Sequence, residues 1–454
     1  MFALKTIHLD KKVSNENQII LLFDMNSSCP CMYPMLYTMK SLRFESISTQ
    51  HADLIALKFW YKFWYEKFST SFCESFFSTL YNFEIIQNEI DNYIIYLENN
   101  KKVEENIIKL RNSKNVNYTT IGQRVRSFLK FYSFLIDEYL TVHSQPQLTM
   151  KEIQRIKENL NKYIIKKKKI MNNFSTSNKT IKSEINYSFK SMNQEMIKGL
   201  YLIVLPSNLS KYNNLNPFKS KNVQLRNFLI IHLMLNYGLR IGKLMLLTTN
   251  SIKKSIQKNN FSLIITNTDD EFDDRSKRPK IKNEFSYRVI KLEEKDYKIL
   301  KIYIDAIRIE IPSQILFTSL KPPYSPLSYA SLKKIFDKVD SSLKALLPEC
   351  FDISSYDSID RFTPHVCRHS WAYMMLAFSF EKYKQENTVN LDHRKITKDA
   401  LLKAQDDLRA IGGWSPSSIM PLHYGKRFIV ERANFMNLSR IKDFHVDYNW
   451  DNFL

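Results

Sequence analysis

The sequence predicts a mainly α-helical chain of at least two domains, with a small β-hairpin in the second. Three observations carry this. Apolar residues recur at three- and four-residue spacing through two long blocks, near 45–68 and 118–140. A polar, strongly basic stretch at 151–182 separates these blocks from a second set of helical patterns. The clearest β-rich segments are two, 261–266 and 287–292. A chain of 454 residues also exceeds one ordinary hydrophobic core.

Residues 1–43 show no clear period and read as an N-terminal extension with one candidate strand at 18–23. Residues 44–150 read as a helical domain. In its first block Leu54, Leu57, Tyr61, Trp64 and Phe68 mark a buried face. In its second, Ile121, Val125, Phe128, Tyr132 and Leu135 do the same, and the polar face carries Arg124, Arg126 and Lys130. Those three charges either touch nucleic-acid phosphates or are solvated. Residues 151–186 read as a basic linker or an exposed helix end, because like charges in a run repel; Lys166, Lys167, Lys168 and Lys169 are its centre and are candidates to lie along a phosphate backbone.

A mixed α/β domain is expected over 187–454. Ser191 and Gln194 make a plausible capping box at its start. The stretch QLRNFLIIHLMLNY is apolar nearly all round, as in a buried helix, and ends at Gly238. FSLIIT and YRVIKL suggest a hairpin with a long charged turn, and QILFTS a further short strand. SPLSYASLKKIFDKV reads as a helix capped by Ser328 or Ser331, and the remainder is mostly helical.

Lys and Arg outnumber Asp and Glu by 21. That excess points to a polyanionic partner, nucleic acid first; the bland alternative is lysine-rich solubility under an AT-rich coding bias. Five scattered cysteines fit reduced thiols in a cytosol, and Cys29-x-Cys31 lacks a second ligand pair at zinc spacing. No window reaches the length of a membrane span, and no glycine-rich phosphate loop is present. An intracellular, soluble chain is expected.

Chemistry concentrates in three clusters: NYGLRIGKL around Arg240, TPHVCRHSW with His365 and Arg368, and IGGWSPSSIMPLHYGK with Trp414 and Tyr424. The chain has only seven glycines, and five of them (Gly238, Gly242, Gly412, Gly413, Gly425) stand beside these clusters. Glycine is needed where backbone turns sharply or approaches a neighbour closely. Two arginines, a histidine and an indole N–H supply several donors and no carboxylate, a set suited to a phosphate. Tyr424 is the one nucleophile with a reason to sit among them.

This order (Arg, His-x-x-Arg, Gly-Trp, Tyr) resembles the tyrosine recombinase, or phage integrase, family over roughly 187–430. SISTQHADLIALKFWYKFW and TTIGQRVRSFLKFYSFLID resemble its helical core-binding domain more weakly. The resemblance implies a helical core-binding domain and a mixed α/β catalytic domain closing as a C-shaped clamp on double-stranded DNA. It implies a site-specific recombinase that cuts and rejoins strands through a 3′-phosphotyrosyl intermediate and a Holliday junction. Arg240, Arg368 and His365 are then expected to hold the scissile phosphate, Trp414 to position it, and Tyr424 to attack it. The family's general acid is a hairpin lysine: Lys282 is the first choice and Lys280 the second, and either is equally readable as an exposed turn charge. No cofactor, neither ATP nor metal, is implied. A homotetramer on synapsed DNA, and a prokaryotic cytoplasm, are. The C-terminal tail docks on a neighbouring protomer in relatives; packing on its own domain is the alternative.

Three features depart from the family pattern. Lys243 stands where an acidic residue is usual, a charged insertion spans 378–408, and Tyr424 comes slightly later after Trp414 than is usual. The rival readings are a type IB topoisomerase-like strand relaxation without synapsis, and a DNA-binding protein that has lost catalysis.

Overall fold

The computed structural model describes residues 2–8, 18–99, 118–144, 148–183, 190–207, 212–256, 260–268, 270, 272–273, 275, 278–281, 284–352, 354–355, 357–386 and 393–443. The chain divides into two compact units, Met1–Ile185 and Asn186–Leu454. It is mainly helical, with two three-stranded sheets among the described residues.

The first unit opens with strands β1 (Phe2–His8), β2 (Gln18–Asp24) and β3 (Cys29–Pro30), paired antiparallel in that order. Helices α1 (Met32–Lys40), α2 (Ile47–Phe68), α3 (Phe72–Ser78), α4 (Phe83–Asn99), α5 (Tyr118–Ser144) and α6 (Met150–Ser183) follow. Ser46 caps α2 by accepting from the Thr49 N–H. Leu54, Leu57, Tyr61 and Trp64 are buried as the period requires, while Phe68, at the end of α2, stays exposed. All five apolar positions read on α5 are buried. The core is unusually aromatic: Trp60 stacks on Phe128 with ring centroids 3.8 Å apart and meets Tyr93 edge-on at 5.1 Å. Buried aromatic pairs of this kind add to the area they remove from water.

Two expectations are corrected here. The N-terminal extension is part of this core, since Phe2, Ile20, Leu22, Tyr33 and Tyr37 are buried in it. The basic linker is a helix, α6, that buries Ile153, Leu160, Ile164 and Met171 against the same core. Charge dominates its composition, yet these apolar positions recur at helical spacing and the lysines fall elsewhere on its surface.

The second unit begins with α7 (Gln194–Val204) and α8 (Lys221–Asn236). The cap of α7 is Asn193, which accepts from the Met196 N–H; the expected Ser191 box does not form, and Ser191 is buried with its carbonyl accepting from Arg427. Next come α9 (Ile241–Leu244), β4 (Ile252–Lys254), β5 (Phe261–Ile265), β6 (Arg288–Leu292) and α10 (Glu294–Ile302). β5 pairs with β6 antiparallel from Phe261↔Leu292 to Ile265↔Arg288, the expected hairpin, and β4 adds a third strand. QILFTS forms no strand, only isolated bridges at Ile315 and Thr318. α11 (Tyr329–Leu346) is capped by Ser328, which accepts from the Ser331 N–H. α12 (Pro364–Glu386), α13 (His393–Gly412), α14 (Met420–Tyr424) and α15 (Lys426–Asp443) complete the unit. The 378–408 stretch lengthens α12 and supplies most of α13, where Ala400, Ala404 and Leu408 are buried with Leu376 and Phe380. The first part of α15 buries Phe428, while Phe435, Met436, Leu438 and Ile441 are exposed.

Candidate active site

Each of the three motif clusters is delivered by a helix end. α8 stops at Tyr237, and Gly238 follows with φ 60°, a backbone state that L side chains rarely adopt. A Cβ there would also overlap the Trp371 ring. This turn sets Arg240 as the N-cap of α9. α12 starts at Pro364, a residue pre-shaped for a first helical position. His365, Arg368 and His369 then share one face at spacings of three and four. α13 ends at Gly412, and Gly413, with φ 64°, turns the chain into Trp414, whose backbone N–H donates to the Arg409 carbonyl at 3.1 Å. Tyr424 closes the short α14. Glycine is not required at every one of these points: Gly242 has room, with Pro279 3.9 Å from where a Cβ would stand.

These side chains converge. The Arg368 guanidinium carbon lies 4.3 Å from the Trp414 ring centroid and 5.4 Å from that of Tyr424. Arg240 lies 5.4 Å from the same Trp414 ring. The Tyr424 ring is 5.2 Å from Trp414 and 5.5 Å from His365. Arg368 is 1% exposed; its two Nη atoms donate to the Gly238 and Gly412 carbonyls, one from each flanking motif. Arg368 thus ties all three motif clusters together through backbone.

The same centre holds donors without partners. Arg368 Nε, Arg288 Nε and Nη2, Trp414 Nε1 and His369 Nε2 are buried and make no hydrogen bond. Such groups carry the full cost of desolvation unless a ligand meets them. Burial, with Arg240 and Arg288 adding repulsion, holds Arg368 well below the ordinary arginine range. Burial and Arg240 push Arg288 down to about 10. Lys243 is also here, 8% exposed; burial, then Arg288, Arg240 and Arg368, bring it down to about 8. Among the described residues no carboxylate pairs with any of these four cations. His365 is solvent-exposed and lowered by partial desolvation and by Lys190 and Arg368.

Two neighbours were not picked out from the sequence. His369 is buried, 4.4 Å ring to ring from Tyr424, and bonded to the Tyr424 backbone; burial and His365 push it down to about 3. Its signal was available, because it lies four residues after His365 on the same helical face. Arg288 opens β6, where its guanidinium fills the space a Cβ on Gly413 would need. The nearby Ser286 hydroxyl donates to the Gly413 carbonyl at 3.5 Å. Nothing in a strand-starting arginine marks that contact in advance. Of the two hairpin lysines, Lys280 is exposed and Lys282 lies outside the described residues.

Residues 209–383 match the phage integrase family. The integrase match takes in Arg240, His365 and Arg368, and Trp414 and Tyr424 follow it. Two solved structures similar to this chain are of XerH site-specific recombinase. One is bound to difH substrate in a pre-cleavage complex, at 14% identity over 70% of this chain and 78% of that one, with a TM-score of 0.32. The other is bound to palindromic difH substrate in a post-cleavage complex, at 14% identity over 77% and 84%, with a TM-score of 0.33. No curated protein sequence matches the chain. Among the described residues no helix is long and apolar enough to cross a membrane.

In the first unit, four of the basic residues expected at DNA have protein partners. Arg124 stacks on Phe59 at 3.6 Å, and Arg126 donates to the Met171 carbonyl at 3.3 Å. Lys130 pairs at 3.4 Å with the buried Asp53, which also accepts from Ser127. On α6, Lys167 pairs with Asp91, Lys168 is half-buried, and Lys166 and Lys169 are exposed.

Proposed function

We propose that the chain is a site-specific DNA recombinase that cuts and rejoins strands with Tyr424 as nucleophile. The observation that supports this reading is a cluster of donors, without a paired carboxylate among the described residues, closing on one phenol from the same chain. Arg240 and Arg368 hold the non-bridging oxygens of the scissile phosphodiester and offset charge in the pentacoordinate transition state. His365 hydrogen-bonds the same phosphate and assists proton transfer. Trp414 donates one N–H to it; an indole cannot accept or shuttle a proton. The Tyr424 oxygen attacks phosphorus, the 5′-oxygen leaves with a proton, and the phosphate remains joined to the enzyme through its 3′ side. The lysine giving that proton is assigned to the hairpin, Lys282 or Lys280. Attack by a 5′-hydroxyl reverses the step, so bond energy is conserved without a nucleotide cofactor.

Double-stranded DNA is the substrate in this reading. Arg124, Arg126, Lys130 and Lys166–Lys169 are assigned to its backbone, the paired ones exchanging protein partners for phosphates. The exposed Phe435, Met436, Leu438 and Ile441 of α15 suit docking on a second protomer in a synaptic tetramer. Exchange then passes through a Holliday junction.

The test is a suicide duplex carrying the native element's junction, nicked beside the cleavage point. A covalent adduct is expected with the natural chain and none with Tyr424→Phe. No adduct from any mapped junction leaves a DNA-binding protein, the reading that the buried Lys243 favours. Adducts accompanied by supercoil relaxation, with no exchange between two sites, leave the topoisomerase-like reading.

A further inference from the structure

Lys243 occupies a position that a simple phosphate pocket does not require. It sits on α9, beneath Arg240 in sequence by one helical turn, and is buried with Arg288 of β6 and Arg368 of α12 as its charged neighbours. Four cations share one partly desolvated space, and among the described residues no carboxylate balances them. On the loop against the end of α9, Arg275 donates to the Met245 carbonyl but is already paired with Asp273. Repulsion of this size needs relief. Arginine keeps its proton under nearly all conditions, whereas lysine gives its proton up readily when buried. The partnerless N–H groups of Arg288, Arg368 and Trp414 in the same centre are a second sign that an anion belongs there.

We propose that Lys243 is a proton-linked positioning residue of the anion pocket: in mildly alkaline solution it sheds its proton when the pocket is empty and takes one proton from solvent when a phosphodiester enters. The inference rests on the pocket being a phosphate site. Its logic is electrostatic. An entering anion reverses the sign of the local potential, so the ammonium form becomes the favoured one. In that alkaline range Lys243 adds a positive charge beside the arginines only when there is negative charge to hold. A residue that were always charged would weaken the empty fold, and a neutral one would weaken the filled site. In the empty pocket its proton leaves near pH 8, so the linkage is visible above that pH. The other titrating neighbours act elsewhere. His365 and His369 are both lowered and are neutral above pH 8, and Arg288 holds its proton to about 10. Lys190 and His423 face the histidine side of the pocket.

The full-length chain is titrated with inorganic sulfate, a dianion throughout the range, by calorimetry at pH 8.0–9.5 in two buffers of different ionisation heat. The natural chain is expected to take up about one proton per bound anion, with affinity falling up to about tenfold per pH unit above pH 8. Lys243→Met should bind with no uptake and a flat pH profile. Lys243→Arg, permanently charged, should also show none, and should bind more tightly than the Met variant. The same uptake in Lys243→Met, or none in the natural chain, overturns the proposal. A Tyr424-dependent DNA adduct without Lys243-linked uptake sinks this inference and leaves the recombinase reading standing. Linked uptake without any adduct does the reverse.

Discussion

A methyl group added to Gly238 meets two obstacles at once. The backbone there has φ 60°, and the Trp371 ring fills the space a Cβ would take. Gly238→Ala should therefore cost about 2–4 kcal/mol, from backbone strain together with overpacking. Urea denaturation of the variant measures it. Because the Gly238 carbonyl also accepts from Arg368, adduct formation should fall with it. At this scale much was legible in advance. Arg240, His365, Arg368, Trp414 and Tyr424 lie in short motifs, and their chemistry is readable from side-chain type alone. Lys243 was readable as a charge but not as a buried one. Burial is decided by which helices meet, and α9, β6 and α12 are far apart in the chain.

Helix α6 gives the sharpest contrast at the scale of elements. Its composition reads as a charged connector, yet Leu160 and Ile164 are 6% and 3% exposed in the core. Leu160→Ala should destabilise the first unit by about 2–5 kcal/mol, the usual cost of a buried large-to-small change. Lys166→Ala, on an exposed face, should stay within about 0.5 kcal/mol. Equal and negligible effects in a chemical melt would mean that the helix does not pack. The long periodic helices α2 and α5 and the β5–β6 hairpin were legible, since their patterns repeat over many residues. Strand β1 was not, nor were the bridges at Ile315 and Thr318. A short strand is defined by its partner, and the partner is not written in the strand. The cap of α7 went to Asn193 instead of Ser191 because the helix starts at Gln194, two residues later than a Ser191 cap requires, while the Ser191 carbonyl meets Arg427, 236 residues away in sequence.

At the scale of the whole chain, an excess of 21 positive charges would suggest a fold that weakens steadily with acid. Lys243 makes one part of that dependence specific. The folded chain loses this proton near pH 8, while an unfolded lysine keeps it to its ordinary 10.5. Between those values the unfolded state binds more protons, so stability rises with pH. Buried tyrosines act in the opposite sense at higher pH. Tyr303, pushed up to about 12 by burial, keeps its proton after an unfolded tyrosine has lost it near 10, so stability falls above that point. The second unit, with no anion bound, should gain stability between about pH 8 and 10. Lys243→Met should be more stable than the natural chain at pH 7, and the two should converge toward pH 10. Thermal unfolding across that range checks both the sign and the window.

Gly413 has one further implication. With the Arg288 guanidinium lying where its side chain would be, and Ser286 bonded to its carbonyl, the hairpin's return strand is clasped to the turn that carries Trp414. That strand cannot shift without either dragging the turn along or unclasping it. The place of the Trp414 ring is thus set partly by a strand more than a hundred residues earlier in the chain.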